Sequence, residues 1–253
     1  LNVPPEAETV LKTRLTKNDM PDIMSIGGNA TYGELARAGV LHDFSGDPIL
    51  EKVQPAYVDM INRLVGSEKE GVYGIPYATN ANGVIYNKAK LAELGIEVPK
   101  TWDEFIAALE TAKEAGEVPL VFTLKDAWTG MPMWNALAGN LVSTDFPTLK
   151  TNGEATFTEY YPEVLDKALA LLEFGEGDIF GVGYEDGNST FANGTGVFYI
   201  QGNWAMPEIY KVNPEIELGM FALPVTNDEA KNNLISGVDV LLTYSESTKH
   251  PEE

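Results

Sequence analysis

Residues 71–113 constrain this chain more than any other stretch. Two apolar runs, at 72–77 and 83–87, flank the polar stretch Ala78-Thr79-Asn80-Ala81-Asn82 and lead into two helical patterns with capping signals. Short apolar runs bounded by polar residues read as buried strands, and the polar stretch reads as a turn between them. That turn supplies amide donors and acceptors but no strong acid, base or nucleophile. Such groups hold a polar molecule without transforming it, so the segment reads as a hinge beside a ligand cleft.

Helix and strand patterns alternate along the rest of the chain, the signature of an α/β fold with crossover units. In the first part a helix is expected at 6–17, with Val10, Leu11 and Leu15 on one face, then a strand at 22–26 opening into Gly27-Gly28-Asn29. Thr31-x-x-Glu34 has the capping-box spacing and should start the next helix, with Gly39 ending it. A longer helix should run from Pro48 behind an Asp47 cap, with Val53, Tyr57, Met60, Ile61 and Leu64 inward. Beyond the central strands a short helix at 89–94 closes at Gly95. Thr101-x-x-Glu104 opens another, whose Trp102, Phe105, Ile106 and Leu109 form an apolar stripe.

Between those two helices, residues 96–100 read as an extended crossover, which places a first lobe at 1–99, a second at 100–238 and a return crossover at 239–253. The second lobe should hold a strand at 118–123, helices at 132–141 and 162–174, a Gly-rich and acidic loop at 174–190, a strand at 197–200 and a helix at 204–210. A last strand at 234–243 leads to a turn at 245–251 and the start of a further helix. The chain opens on Leu1-Asn2-Val3-Pro4 with no basic and apolar leader, so a removed leader or a fragment is expected, incomplete at both ends.

At 253 residues and 44% apolar composition the chain can fill one or two cores. A formal net charge of -21 argues against nucleic-acid binding, which needs clustered Lys and Arg. No apolar run has the length of a membrane span. Cysteine is absent, so there are no disulfides and no thiolate chemistry. His42 and His250 stand in no metal-site or triad spacing, and no cofactor or metal is expected. The run Gly181-Val-Gly183-Tyr-Glu-Asp-Gly187 has its third glycine displaced from a dinucleotide fingerprint. Asn29, Asn188 and Asn193 begin glycosylation sequons of the kind that arise by chance in chains rich in Asn, Ser and Thr.

What remains is a set of aromatics and amides where strands meet helices, the position at which open α/β sheets bind ligands. Asn29 follows the first strand, Trp128 follows the strand ending near Thr123, and Trp204 follows the strand at 197–200 through Gln201-Gly202-Asn203. A flat indole beside amides and carboxylates suits a sugar, whose ring faces carry C–H groups and whose rim carries hydroxyls. Two other readings stay open: a carbohydrate-active enzyme with two cleft carboxylates, and a binding protein for a non-sugar solute.

At these residues the chain resembles the extracellular solute-binding proteins of ABC sugar importers, the family that includes maltose-binding protein. Three segments carry the resemblance: Met20-Pro21-Asp22-Ile23-Met24; Tyr86-Asn87-Lys88 through Pro99-Lys100-Thr101-Trp102; and Phe191-Ala192-Asn193-Gly194 through Gly202-Asn203-Trp204-Ala205. It implies a two-lobed α/β fold of the type II periplasmic-binding kind, with the sugar enclosed by hinge closure. It also implies a protein that is not an enzyme and that delivers an oligosaccharide to an ABC permease. A monomer is expected, outside the membrane, in the periplasm or anchored by lipid at the cell surface. By the same resemblance Asn29, Asn80, Asp126, Trp128 and Trp204 are sugar contacts. Tyr77, Asn82 and Asp239 join them on position alone.

Overall fold

The computed structural model describes residues 7–66 and 69–250. The chain forms two compact units, Leu1–Asn80 with Ser236–Glu253, and Ala81–Ile235. It passes into the second unit at 80/81 and back at 235/236, whereas the sequence reading placed the boundaries at 99/100 and 238/239. The segment 96–100 accounts for the first difference. Ile96 packs against the core of the second unit and Pro99 is buried, so this stretch belongs to that unit instead of joining two.

In the first unit, α1 (Ala7–Thr16) stops before Asn18, which takes the left-handed conformation with φ of 53°. β1 (Ile23–Gly27) follows, then α2 (Ala30–Arg37). The expected capping box at Thr31 does not form. Asn29 is the N-cap, its side chain accepting from the Thr31 amide, and the Thr31 hydroxyl donates to Glu8 on α1. Gly39 does end the helix, at φ of 74°. The long helix expected from Pro48 is split into a 3-10 turn, Pro48–Lys52, and α3 (Pro55–Val65). Val53 and Gln54 are extended because Pro55 excludes the helical conformation from the residue before it. Tyr57, Met60, Ile61 and Leu64 still face the core, with Tyr32 and Leu35 of α2 and Met24 and Ile26 of β1.

β2 (Ile75–Asn87) is one continuous strand, so residues 78–82 are extended and not a turn. β6 (Ile235–Tyr244) lies between β1 and β2 and runs antiparallel to β1, with Ile26 opposite Leu241. The further helix expected near the end is not seen among the described residues: 245–250 form a turn and 251–253 lie outside them.

In the second unit, β4 (Phe198–Gly202) pairs antiparallel with β2, placing Asn82 opposite Gly202 and Val84 opposite Ile200. β3 (Leu120–Val121) runs parallel to β4, and β5 (Leu218–Phe221) pairs with β2. Every residue of β4 is buried. Phe198 and Ile200 enter a core shared with α5 (Trp102–Glu114), α6 (Met131–Leu141) and α9 (Pro162–Leu172). Tyr199, pointing the other way, packs with α10 (Tyr184–Ala192) and α11 (Ala205–Val212). α4 (Lys88–Leu94) closes at Gly95 as its sequence indicates, while α7 (Phe146–Thr151), α8 (Phe157–Tyr160) and β5 carry no signal that the sequence reading used. α10 falls in the stretch expected to be a loop. Its glycine explains the misreading and is required, because a Cβ on Gly187 would overlap the Thr123 methyl.

The capping box at Thr101 and Glu104 does form, each side chain reaching the other's backbone. Hydrogen bonds from the Lys100 and Thr101 amides hold the Glu104 carboxyl below its ordinary 4.5 despite some desolvation. Thr101→Ala is therefore expected to destabilise the protein by about 1 kcal/mol in urea denaturation at neutral pH. Because the Glu104 pKa is depressed on folding, its stabilisation is complete above 4.5 and lost as pH falls through the lower folded value. Stability of Glu104→Gln should accordingly depend less on pH below 4.5 than that of the parent.

Candidate functional site

In the second unit the chain leaves β3, passes Asp126 and makes a 3-10 turn, Ala127–Gly130, before α6. That turn pushes Trp128 outward, 46% exposed. Its ring lies 4.8 Å from Tyr184 and 6.4 Å from Trp204, centroid to centroid. Tyr184 opens α10 and Trp204 precedes α11, so two strand-to-helix connections and the loop between α9 and α10 meet in one aromatic cluster. Asp126 fixes one member. Its Oδ2 accepts from the Tyr184 amide at 2.7 Å, placing a carboxylate at the positive end of α10. Gly202 fixes another, since the Trp204 indole folds back over its backbone where any Cβ would overlap the ring.

The interior beside Tyr184 is polar. The Tyr199 and Thr123 hydroxyls are 3.3 Å apart, and burial raises both Tyr199 and Tyr184 above the ordinary phenol value, so both stay neutral hydroxyls at physiological pH. The Asn188 side chain lies beside the Tyr184 hydroxyl and that of Gln201 beside the Tyr199 hydroxyl, each drawing the phenol back down. Neither amide makes a hydrogen bond of good geometry to any described residue, although Asn188 is 3% and Gln201 0% exposed. The Trp204 Nε1 and Asn82 Oδ1 are likewise buried without a partner. A buried polar group left unpaired costs about 1–3 kcal/mol, so four side chains of this kind in one unit is a stability deficit in need of a reason.

The first unit holds the other expected residues. Asn80 Nδ2 donates to Asp239 Oδ1 at 3.2 Å, and the Asp239 carbonyl accepts from the Gly28 amide at the loop after β1. Asn29, on the same loop, is engaged on both ends of its amide: Oδ1 caps α2 and Nδ2 donates to Glu8 at 2.6 Å. Its place in the fold explains the residue without a ligand. Tyr77 is 61% exposed, its hydroxyl 2.8 Å from Ser25. The structure thus brings Asn80 to Asp239 and, separately, Trp128 to Trp204 with Asp126 alongside. Tyr184, Asn188 and Gln201 were missed by the sequence reading. Gln201 gave a signal in being a polar residue that ends the apolar run at 197–200.

Over residues 5–253 the chain matches the family described as bacterial extracellular solute-binding protein. It belongs to that family. A curated relative, the multiple sugar-binding protein of Streptococcus mutans, is 30% identical over 98% of this chain. The melibiose/raffinose/stachyose-binding protein MelE of Bacillus subtilis is 24% identical over 86% of it. The chain spans 60% and 51% of the length of these two relatives. Among solved structures, RafE in complex with raffinose superposes with a TM-score of 0.77 at 27% identity, covering 100% of this chain and 66% of RafE. RafE is also known from Streptococcus pneumoniae in its apo form. The fold is accordingly the mixed α/β fold of type II solute-binding proteins. Members of the family are substrate-binding proteins of transporters, not enzymes.

Among the described residues no three His, Cys, Asp or Glu side chains are grouped to hold a metal ion, and no helix is long and apolar enough to cross a membrane. The close packing at Gly202 gives a direct check on the aromatic cluster. Gly202→Ala should force the Trp204 ring off its seat, shift the tryptophan fluorescence and destabilise by about 1–3 kcal/mol. An unchanged spectrum and melting curve would show that the indole does not rest there.

Proposed function

We propose that this chain is the sugar-binding portion of an importer component that captures an oligosaccharide outside the membrane and delivers it to an ABC permease. The observation that carries this reading is the cluster of Trp128, Tyr184 and Trp204, one ring largely exposed and two half-buried, beside amide and hydroxyl side chains. Aromatic faces take the C–H face of a pyranose, and neutral donors and acceptors take its hydroxyls. The sugar-binding names of the Streptococcus mutans and Bacillus subtilis relatives, and the raffinose held by RafE, support the same class of ligand. A formal net charge of -21 disfavours anionic solutes.

Within this reading Trp128 and Trp204 stack on sugar rings, with Asp126 holding Tyr184 beside them. Asn80 and Asp239, paired in the first unit, are polar contacts to sugar, with Tyr77 and Asn82 as further candidates. The protein acts as a monomer in the periplasm or, carried by a lipid anchor, at the cell surface, and returns its ligand unaltered.

Calorimetry on the full-length protein with raffinose, melibiose and stachyose tests the reading. Trp128→Ala and Trp204→Ala should each weaken binding by about 1.5–3 kcal/mol, the scale of a lost buried aromatic contact. Asn80→Ala should cost about 1–2 kcal/mol in affinity with little change in stability. Unchanged affinities in both tryptophan variants, or tight binding of a peptide or polyamine in place of any sugar, would overturn it. Cleavage of raffinose on prolonged incubation would point to an enzyme instead.

A further inference from the structure

The two buried amides at the aromatic cluster are poorly satisfied by the fold around them. Gln201 is the last side chain of β4 before Gly202, on the same face as Tyr199, and Asn188 lies one turn before Phe191 on the face of α10 that packs against that side of the strand. Both stand next to tyrosine hydroxyls, near enough to draw the phenols down, yet none of their four side-chain polar atoms makes a hydrogen bond of good geometry to a described residue. An apolar side chain of the same size would fill either position without that loss. Residues kept against local stability mark places where something else is needed of them.

We propose that Asn188 and Gln201 are specificity-determining residues of the sugar site, held incompletely satisfied beside the Tyr184 and Tyr199 hydroxyls so that the hydroxyls of a bound sugar complete their hydrogen bonds. This rests on the sugar-binding reading above and adds to it which groups read the hydroxyl rim. Two members of the cluster connect the amides to the surface. Tyr184 packs at a tilt against the exposed Trp128 and has its hydroxyl at Asn188. Trp204 covers Gly202 with its own Nε1 buried and unpartnered. Neither amide touches solvent in this conformation, so a side-chain movement within the cluster has to admit the hydroxyl. A site built around hydrogen bonds to a hydroxyl rejects analogues that lack it far more strongly than an apolar pocket can.

The test separates this role from a structural one because the two readouts move in opposite senses. Gln201→Met and Asn188→Leu keep the side-chain size and remove the amide. In the full-length protein without sugar, each should leave the melting temperature unchanged or raise it. In calorimetry with raffinose, each should weaken binding by about tenfold, the scale of a lost hydrogen bond to a buried group. A variant that melts more than about 4 °C lower, or does not fold, shows that its amide was already satisfied in the protein and overturns the proposal for that residue. Raffinose affinity within about twofold of the parent overturns it too. If the parent itself binds none of raffinose, melibiose and stachyose, it is the sugar reading that fails, and the inference with it.

Discussion

The second unit depends on a strand with no exposed residue. β4 has Phe198 and Ile200 on one side and Tyr199 on the other, so each of its faces belongs to a different core. A strand buried on both faces fixes the register of its neighbours, because a slip by one residue would exchange the two cores. That register sets Gly202 opposite Asn82 and delivers the chain into the turn before α11. The aromatic cluster is therefore held by the packing of the sheet and not by the loops that carry it.

Polarity inside this unit has a different logic from its apolar packing. Tyr199 and Thr123 satisfy each other across the interior, and Asp126 satisfies the first turn of α10, so the cluster includes complete polar contacts as well as incomplete ones. The incomplete ones gather at the end of β4 and on α10, beside the Tyr199 and Tyr184 hydroxyls. Complete contacts give rigidity, and the incomplete ones leave bonding capacity where a ligand can use it.

Signals carried by neighbours in sequence were legible, and those decided by distant partners were not. Thr101 and Glu104 cap α5 because nothing else competes for them, whereas the same spacing at Thr31 and Glu34 yields to Asn29 and to Glu8 from another helix. The polar stretch 78–82 reads as a turn by composition, yet it is strand because ladder partners are supplied from residues far along the chain. Trp128 and Trp204 could be picked out because an aromatic beside glycine at a strand-to-helix turn is a local pattern. Asn188 could not, and Gln201 only as a polar residue closing an apolar run, since nothing in a sequence window says that an amide is buried, or that a Gly187 inside a helix is there to admit Thr123.

The position of β6 bears on how the protein is made. It is the strand between β1 and β2, yet it is the last of the six to leave the ribosome, after the entire stretch 81–235 has been synthesised. Within this chain the second unit is one continuous segment, made before β6 emerges. The first unit must wait, with β1 and β2 lacking the strand that joins them, and its closure spans more than 150 intervening residues of chain. Because closing a longer loop costs only slowly rising entropy, the delay is one of timing more than of stability. A nascent chain halted before residue 235 would thus hold β1 and β2 with the edges that β6 pairs still open, a form exposed to aggregation.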